Sequence, residues 1–380
     1  MTENTPNKAN SPPNALFERY PRLRQALPHV ALGLWPTPVA RLDTMETALP
    51  EALGAGRLYA KRDDLSATPY GGNKVRKLEF LLGRALHDRR KAVLTFGGAG
   101  SNHALATAVY AQQLGLQSIS MLVPQPNARS VRRNLLMSHR VGAELHHNPG
   151  MASTTASALW HCLSHRLRDG AFPQIIPPGG TSPVGMVGFV DGALELAQQV
   201  ADGVLPEPDC LYAASGTMGT VVGLLLGIKA AALRTRVVAV RVTAPMYTSM
   251  RKARRFFRAT NTLLHDADPD FPLLDFPEDQ FELRHDFFGQ QYALYTKEAV
   301  DAVRQMKDSE GIAIEATYTG KTLAALLADI ASGALRDKTV LFWNTYNSHD
   351  FTGEIEGLDH TALPKPLHRY FEQDVQPLDR

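Results

Sequence analysis

From Lys91 onward the chain repeats one pattern: a short apolar run, a turn marked by glycine or proline, then a longer segment whose apolar residues recur at helical spacing. Such runs suit strands buried on both faces, and the longer segments suit helices that cover them. The repeat therefore predicts βα units on a parallel sheet, an α/β architecture. A first block is expected from a strand at Ala92 to Phe96, an exit loop at Gly97 to Gly100 and a helix from Asn102 to Gln113. A strand at Ser118 to Val123 and a helix from about Ala128 to Val141 complete it. A second series begins with a strand at Cys210 to Ala214, turns through Ser215 to Thr220 and enters a helix at Val221 to Ala232. Val237 to Val242 follows as a strand, the run Gly311 to Ile314 leads through Tyr318-Thr319-Gly320-Lys321 into a helix, and Thr339 to Trp343 is a late strand. The proline- and glycine-dense segment from Pro173 to Gly188 is expected to cross between the two series.

Length supports the division. At 380 residues the chain exceeds what one hydrophobic core usually serves, and two domains leave room for a cleft. Lys and Arg number 40 against 38 Asp and Glu, a formal charge of +2, so no global field attracts nucleic acid or an anionic membrane; the expected partner is a small molecule. Cys162 and Cys210 form no CxxC, which indicates neither a disulfide framework nor a cysteine metal site and fits a reducing, cytosolic setting. Residues 1–13 read as a disordered leader without the apolar core of a signal peptide. Stretches such as Gly219 to Ala232 fall short of the roughly 20 apolar residues that span a bilayer, so no membrane crossing is expected.

Three turns carry candidate chemistry, two of them at strand ends, the side on which open α/β sheets bind ligands, and the third at a helix start. Ser215-Gly216-Thr217-Met218-Gly219-Thr220 can turn backbone N–H groups and a helix N-terminus toward a phosphate; simple capping is the alternative. Gly97 to His103 offers a second anion site, with Ser101 and Asn102 equally compatible with capping the next helix. In Tyr70-Gly71-Gly72-Asn73-Lys74-Val75-Arg76-Lys77 three cations crowd a helix start, against the macrodipole. Either this is a solvated basic face, or neighbouring positive charge lowers the pKa of Lys74 for attack on an aldehyde. His161 and His165 stand at i and i+4 without an evident third ligand, so no metal site is read. The run Arg251 to Arg258 interleaves two phenylalanines with cations and reads as an amphipathic helix with a solvated face.

GGNKVRKLEF, SNH, SGTMGT and TYTGK, in this order from about Thr37 to Thr345, resemble the D-cysteine desulfhydrase and 1-aminocyclopropane-1-carboxylate deaminase family of tryptophan synthase β-like (fold type II) pyridoxal-phosphate enzymes. The resemblance implies two three-layer α/β domains with twisted, mostly parallel sheets and the cofactor in the cleft between them. The large domain would take 14–85 with 186–380, and the small one 86–185. It implies pyridoxal 5'-phosphate joined to Lys74, with Lys74 also moving the substrate Cα proton. Asn102 would bond the cofactor's 3′-oxygen, while Gly216, Thr217, Met218, Gly219 and Thr220 hold its phosphate and Thr345 faces its ring nitrogen. Ser101, Asn102, His103 and Thr319 would contact the substrate, with Tyr318 and Tyr292 beside its leaving group. A homodimer is also implied.

Thr319 stands where the cyclopropane deaminases have glutamate and the desulfhydrases threonine. A neutral hydroxyl cannot act as a carboxyl acid, which favours β-elimination from a D-cysteine-like amino acid over ring opening. Tyr346 and Asn347 replace two glycines of the family pattern, and Leu105 and Ala106 replace its Arg and Gln after SNH. Three functions are thus weighed: a β-eliminating lyase, a cyclopropane-carboxylate deaminase, and a non-catalytic protein that keeps the cofactor or binds a small molecule.

Overall fold

A computed structural model describes residues 14–380 of the chain; the leader read at 1–13 lies outside the described residues. Among the described residues ten strands form two sheets. The larger sheet contains β1 (Val39–Arg41), β2 (Arg57–Lys61), β7 (Cys210–Ser215), β8 (Arg236–Arg241), β9 (Phe281–Arg284) and β10 (Thr339–Trp343), in the order β1-β2-β10-β7-β8-β9. Only β1 runs antiparallel to its neighbour. The smaller sheet is wholly parallel, in the order β5-β4-β3-β6, from β3 (Ala92–Gly98), β4 (Gln117–Val123), β5 (Glu144–His147) and β6 (Gln174–Ile176). Its central pair is in register from Ala92↔Gln117 to Gly98↔Val123.

The apolar runs behave as their patterns require. All six residues of β7 are buried, and so are all but the first of β8, because helices cover both faces of the larger sheet. Two cores lie on those faces. One packs the helices Pro183–Ala201 and Gly219–Ala230 beneath Leu211, Ala213 and Trp343; the other packs Thr319–Ala331 against Tyr212, Val238 and Phe342. Apart from the run Gly311 to Ile314, the expected strands and helices of both series form within two residues of the positions read from sequence.

Two expectations need correction. Pro173 to Gly188 is more than a crossing: it contains β6, which pairs with β3, and the first turn of the long Pro183–Ala201 helix, capped by Ser182. Gly311 to Ile314 pairs with no strand; Ile312 and Ile314 are buried beneath the larger sheet as irregular chain. The basic run lies in the helix Met250–Ala267, where Ala253 and Phe257 face inward and Arg251, Arg254, Arg255 and Arg258 are exposed. Among the described residues no helix is long and apolar enough to cross a membrane.

Beneath the sheet ends lies a buried ionic cluster. Arg76 donates to both oxygens of Asp63 and both oxygens of Glu195, while Lys61 donates to Glu195 Oε1 (2.5 Å) and Gln199 Oε1 (2.6 Å). Trp35 stacks on the guanidinium, 4.0 Å from Cζ to ring centroid, and Trp343 donates from its indole to Asp63 (2.7 Å). Burial works to raise the Glu195 pKa, but Arg76 and Lys61 outweigh it and hold the carboxyl at about 2. The folded-state value lies below the ordinary one, so this carboxylate's contribution is complete above the unfolded pKa and is lost as pH falls toward about 2. Glu195→Gln leaves Arg76 and Lys61 under-compensated and is expected to destabilise the fold by about 3–5 kcal/mol. Urea unfolding followed by circular dichroism measures this, and a loss within error of zero would contradict it.

Candidate active site

Lys74 opens the helix Lys74–His87 and reaches into a cavity of about 440 Å³ at the strand ends, walled by residues of both sheets and their loops. The segment before it is shaped by close approach. At Gly72, with φ at +90°, a Cβ would lie 2.6 Å from the Tyr346 carbonyl oxygen, so no side chain fits there. Asn347 Oδ1 accepts from Gly71 N (2.7 Å), and the Thr345 carbonyl accepts from Asn73 N (3.3 Å). Thr345 and Asn347 thus clamp the loop that carries Lys74, and the Tyr346 backbone packs against it at Gly72.

Burial brings the Lys74 pKa down to about 8, while Glu315 opposes the shift. The cause expected from sequence is incorrect. Arg76 is engaged in the ionic cluster, and Lys77 is itself pushed well below its ordinary value by burial and then by Lys74. Nor is the helix start a solvated face, since Lys74 is partly buried and Arg76 and Lys77 are buried.

The turn Ser215–Thr220 forms a cup. Met218 takes φ +72°, the helix Gly219–Ala230 follows, and its first N–H groups face the cavity. A Cβ on Gly219 would stand 2.6 Å from Thr181 Oγ1 and 2.7 Å from Lys77 Nζ. Thr217 Oγ1 and Thr181 Oγ1 are 2.6 Å apart, and Lys77 Nζ donates to the Gly179 carbonyl (3.0 Å). A lysine, hydroxyls and a helix N-terminus thus meet at a point suited to a dianion. Lys77, Thr181 and Gly179 were missed in the sequence. The one available sign was the second lysine three residues after Lys74, one turn along the same helix face.

The second turn places Ser101 as the N-cap of Asn102–Gln113, its Oγ accepting from Ala104 N (3.2 Å); capping and cavity lining coexist. Asn102 Oδ1 accepts from Asn134 (2.9 Å), which turns the amide N–H₂ of Asn102 to the other side. His103 lines the cavity buried, with neither ring nitrogen hydrogen-bonded. Burial, then Lys74 and Lys77, hold its pKa well below the ordinary value, so the ring is neutral.

Also lining the cavity, Tyr292 and Tyr318 share a hydroxyl–hydroxyl hydrogen bond of 2.5 Å, and burial raises both phenols. Glu315 caps the helix Thr319–Ala331, accepting from the N–H groups of Thr317, Tyr318 and Thr319. Thr319 does not line the cavity. Its hydroxyl bonds the Glu315 backbone and, at 3.2 Å, the carboxylate Oε1, so its place is to hold that carboxylate and through it Tyr318. Arg133, another residue missed by sequence, lines a side pocket with Tyr292, Tyr318, Glu315 and Tyr346, and donates to the Tyr346 hydroxyl (3.3 Å). Lys74, Ser101, Asn102, His103, Tyr292, Tyr318, Thr345 and the cup from Gly216 to Thr220 all line the one cavity.

Residues 30–345 match the family model described as "Pyridoxal-phosphate dependent enzyme". The chain belongs to that family. It is 30% identical to a Pyrococcus furiosus protein named "Putative 1-aminocyclopropane-1-carboxylate deaminase", over 90% of this chain and 97% of that one. It is also 30% identical to a Klebsiella pneumoniae D-cysteine desulfhydrase, over 86% and 94% respectively. The crystal structure of an ACC deaminase homologue superposes with a TM-score of 0.73 at 28% identity, covering 90% of this chain and 98% of that chain.

The residues present fit pyridoxal phosphate. The space a Cβ would fill at Gly219, the amine of Lys77 and the unpartnered nitrogens of His103 call for an anionic, polar group, and Lys74 offers an amine at the same cavity. Lys77→Met is expected to weaken cofactor retention by about tenfold or more, since a charged hydrogen bond is worth about 1.5–3 kcal/mol. Dialysis followed by visible absorbance measures it. Cofactor uptake by stripped protein should accelerate about tenfold per pH unit as pH rises toward about 8 and level off above, because only the neutral Lys74 amine attacks an aldehyde. A rate independent of pH across that range contradicts the assignment.

Proposed function

We propose that this protein is a β-eliminating lyase acting on a small amino acid of the D-cysteine type. With D-cysteine and one water, the products are pyruvate, ammonia and hydrogen sulfide. The observation that carries the reading is the hydrogen-bonded pair Tyr292–Tyr318 in the same cavity as Lys74, where the carboxylate of Glu315 is committed to backbone N–H groups. Bound pyridoxal phosphate supplies the electron sink for charge developing at the substrate Cα. Lys74, of low pKa, is the base that takes the Cα proton. The turn at Ser101–His103 binds the substrate carboxylate through its N–H groups and side chains. The Tyr292–Tyr318 pair faces the leaving group and passes it a proton. Thr345, which lines the same cavity, would be a neutral partner for the ring nitrogen, which favours elimination over transamination.

A cyclopropane deaminase finds less support here, because Thr319 is turned out of the cavity and Glu315, the nearest carboxylate, is committed to three backbone N–H groups. The remaining parts of the proposal are organisational. The segments 14–85 with 186–380 and 86–185 act as two domains about the cavity, two copies pair as a homodimer, and the two free, buried cysteines suit a reducing cytosol.

Pyruvate release from D-cysteine, L-cysteine, D-serine and 1-aminocyclopropane-1-carboxylate tests the reading. D-cysteine is expected to turn over fastest, and Tyr318→Phe to lower kcat about 10²–10⁴-fold with cofactor still bound. Turnover of the cyclopropane substrate alone, or of none, would overturn it.

A further inference from the structure

The smaller sheet carries a polar cluster that the proposed reaction does not use. Glu144 and His146 lie two residues apart on the edge strand β5, so their side chains share a face. His161 and His165 descend onto that face from the helix Met151–Asp169, one turn apart. His146 Nε2 approaches Glu144 Oε1 at 2.7 Å and His161 Nδ1 approaches the same oxygen at 3.1 Å, with the two imidazole centroids 3.7 Å apart. The three donor atoms lie within 4.8 Å of one another. Behind them the buried His165 places Nε2 3.3 Å from Glu144 Oε2, while its Nδ1 lies between Arg168 (2.8 Å) and Asp169 Oδ2 (3.0 Å). A histidine that orients a liganding carboxylate from behind is the arrangement that metal sites use to fix their ligands. Strand β5 thus supplies two ligands beside His161, and His165 of the i, i+4 pair stands behind the site rather than in it.

Two nitrogens and a carboxylate oxygen suit a borderline divalent ion. Bonds of about 2.1 Å in tetrahedral geometry would place donors about 3.4 Å apart. Small side-chain shifts from the observed separations reach that, with a fourth position open to water. The helix also has reason to need such a link. Of its 19 residues only Thr154, Ala158, Cys162 and His165 are buried, while Leu159, Trp160, Leu163 and Leu167 are exposed. Apolar anchorage is therefore thin, resting on Ala158 and Cys162 against Ala92, Leu94, Ile119 and Met121. The helix's first turn, at Met151, Thr154 and Thr155, lines the main cavity.

We infer that Glu144, His146 and His161 form a zinc site that clamps this helix to β5 and so steadies one wall of the cavity. The test uses the cofactor-loaded full chain, freed of metal with a chelator. Titration with Zn2+ is expected to give one ion bound per chain and a higher Tm, and Mg2+ to give neither. Co2+ in its place is expected to show visible bands of a nitrogen–oxygen tetrahedral site. His161→Gln and, separately, His146→Gln should weaken Zn2+ binding at least about 100-fold, the upper end of what losing even an outer partner costs. Unchanged cofactor absorbance in each variant reports that the fold is kept. Wild-type protein that binds no Zn2+ would overturn the proposal whatever the variants do, and so would variants that bind it as tightly as wild type.

Discussion

The buried pairing of Arg76 with Asp63 and Glu195 is the constraint on which the rest of the site depends. Arg76 lies two residues after Lys74, and its guanidinium is held by the end of β2, by the helix Pro183–Ala201 and, through Trp343 and Asp63, by the end of β10. Four charges this deep are tolerable only because each meets an opposite charge and further hydrogen bonds. Such a cluster has few alternative arrangements, so it fixes the pitch and depth of the helix whose first residue is Lys74. Thr345 and Asn347 then fix the loop before it.

Around this anchor the cavity is built to favour negative charge. Lys74 and Lys77 sit in a poorly solvated space; burial lowers the tendency of both to hold a proton, and at Lys77 the charge of Lys74 lowers it further. With them is a neutral His103 whose nitrogens have no protein partner. The helix N-terminus at Gly219 adds its partial charge at the same place. A phosphate bound there would restore the charge of Lys77, leaving Lys74, farther along the cavity, as the free amine. Proximity of two lysines with one anion between them and the helix end thus divides their roles.

Much of this was legible in the chain. Strand ends marked by Gly98, Ser215 and Thr345 located the cavity, because apolar runs followed by small residues and hydroxyls are a local signal. Lys74, Ser101, Asn102, His103, Tyr292 and Tyr318 came from motif order and do meet in one space. What escaped notice depends on contacts between distant segments. Lys77 reads as one more surface cation until its partners at Gly179 and Gly219, over 100 residues away, are in place. Arg133 lies on a helix whose polar face points at the tyrosines only after the two sheets are packed. Thr319 was read as facing substrate because sequence position says nothing of rotamer, and Glu315, four residues before it, captures its hydroxyl. Glu144 and His146 belong to a four-residue strand too short to announce itself by alternation.

The central claim is that, of the two lysines in the cavity, Lys74 alone bonds the cofactor. Borohydride reduction of the cofactor-loaded protein, followed by proteolysis and mass analysis of the peptides, tests it most directly. The account predicts a pyridoxyl group on Lys74 in essentially every labelled chain and an unmodified Lys77. Label on Lys77, on Lys321 or on no lysine would contradict it.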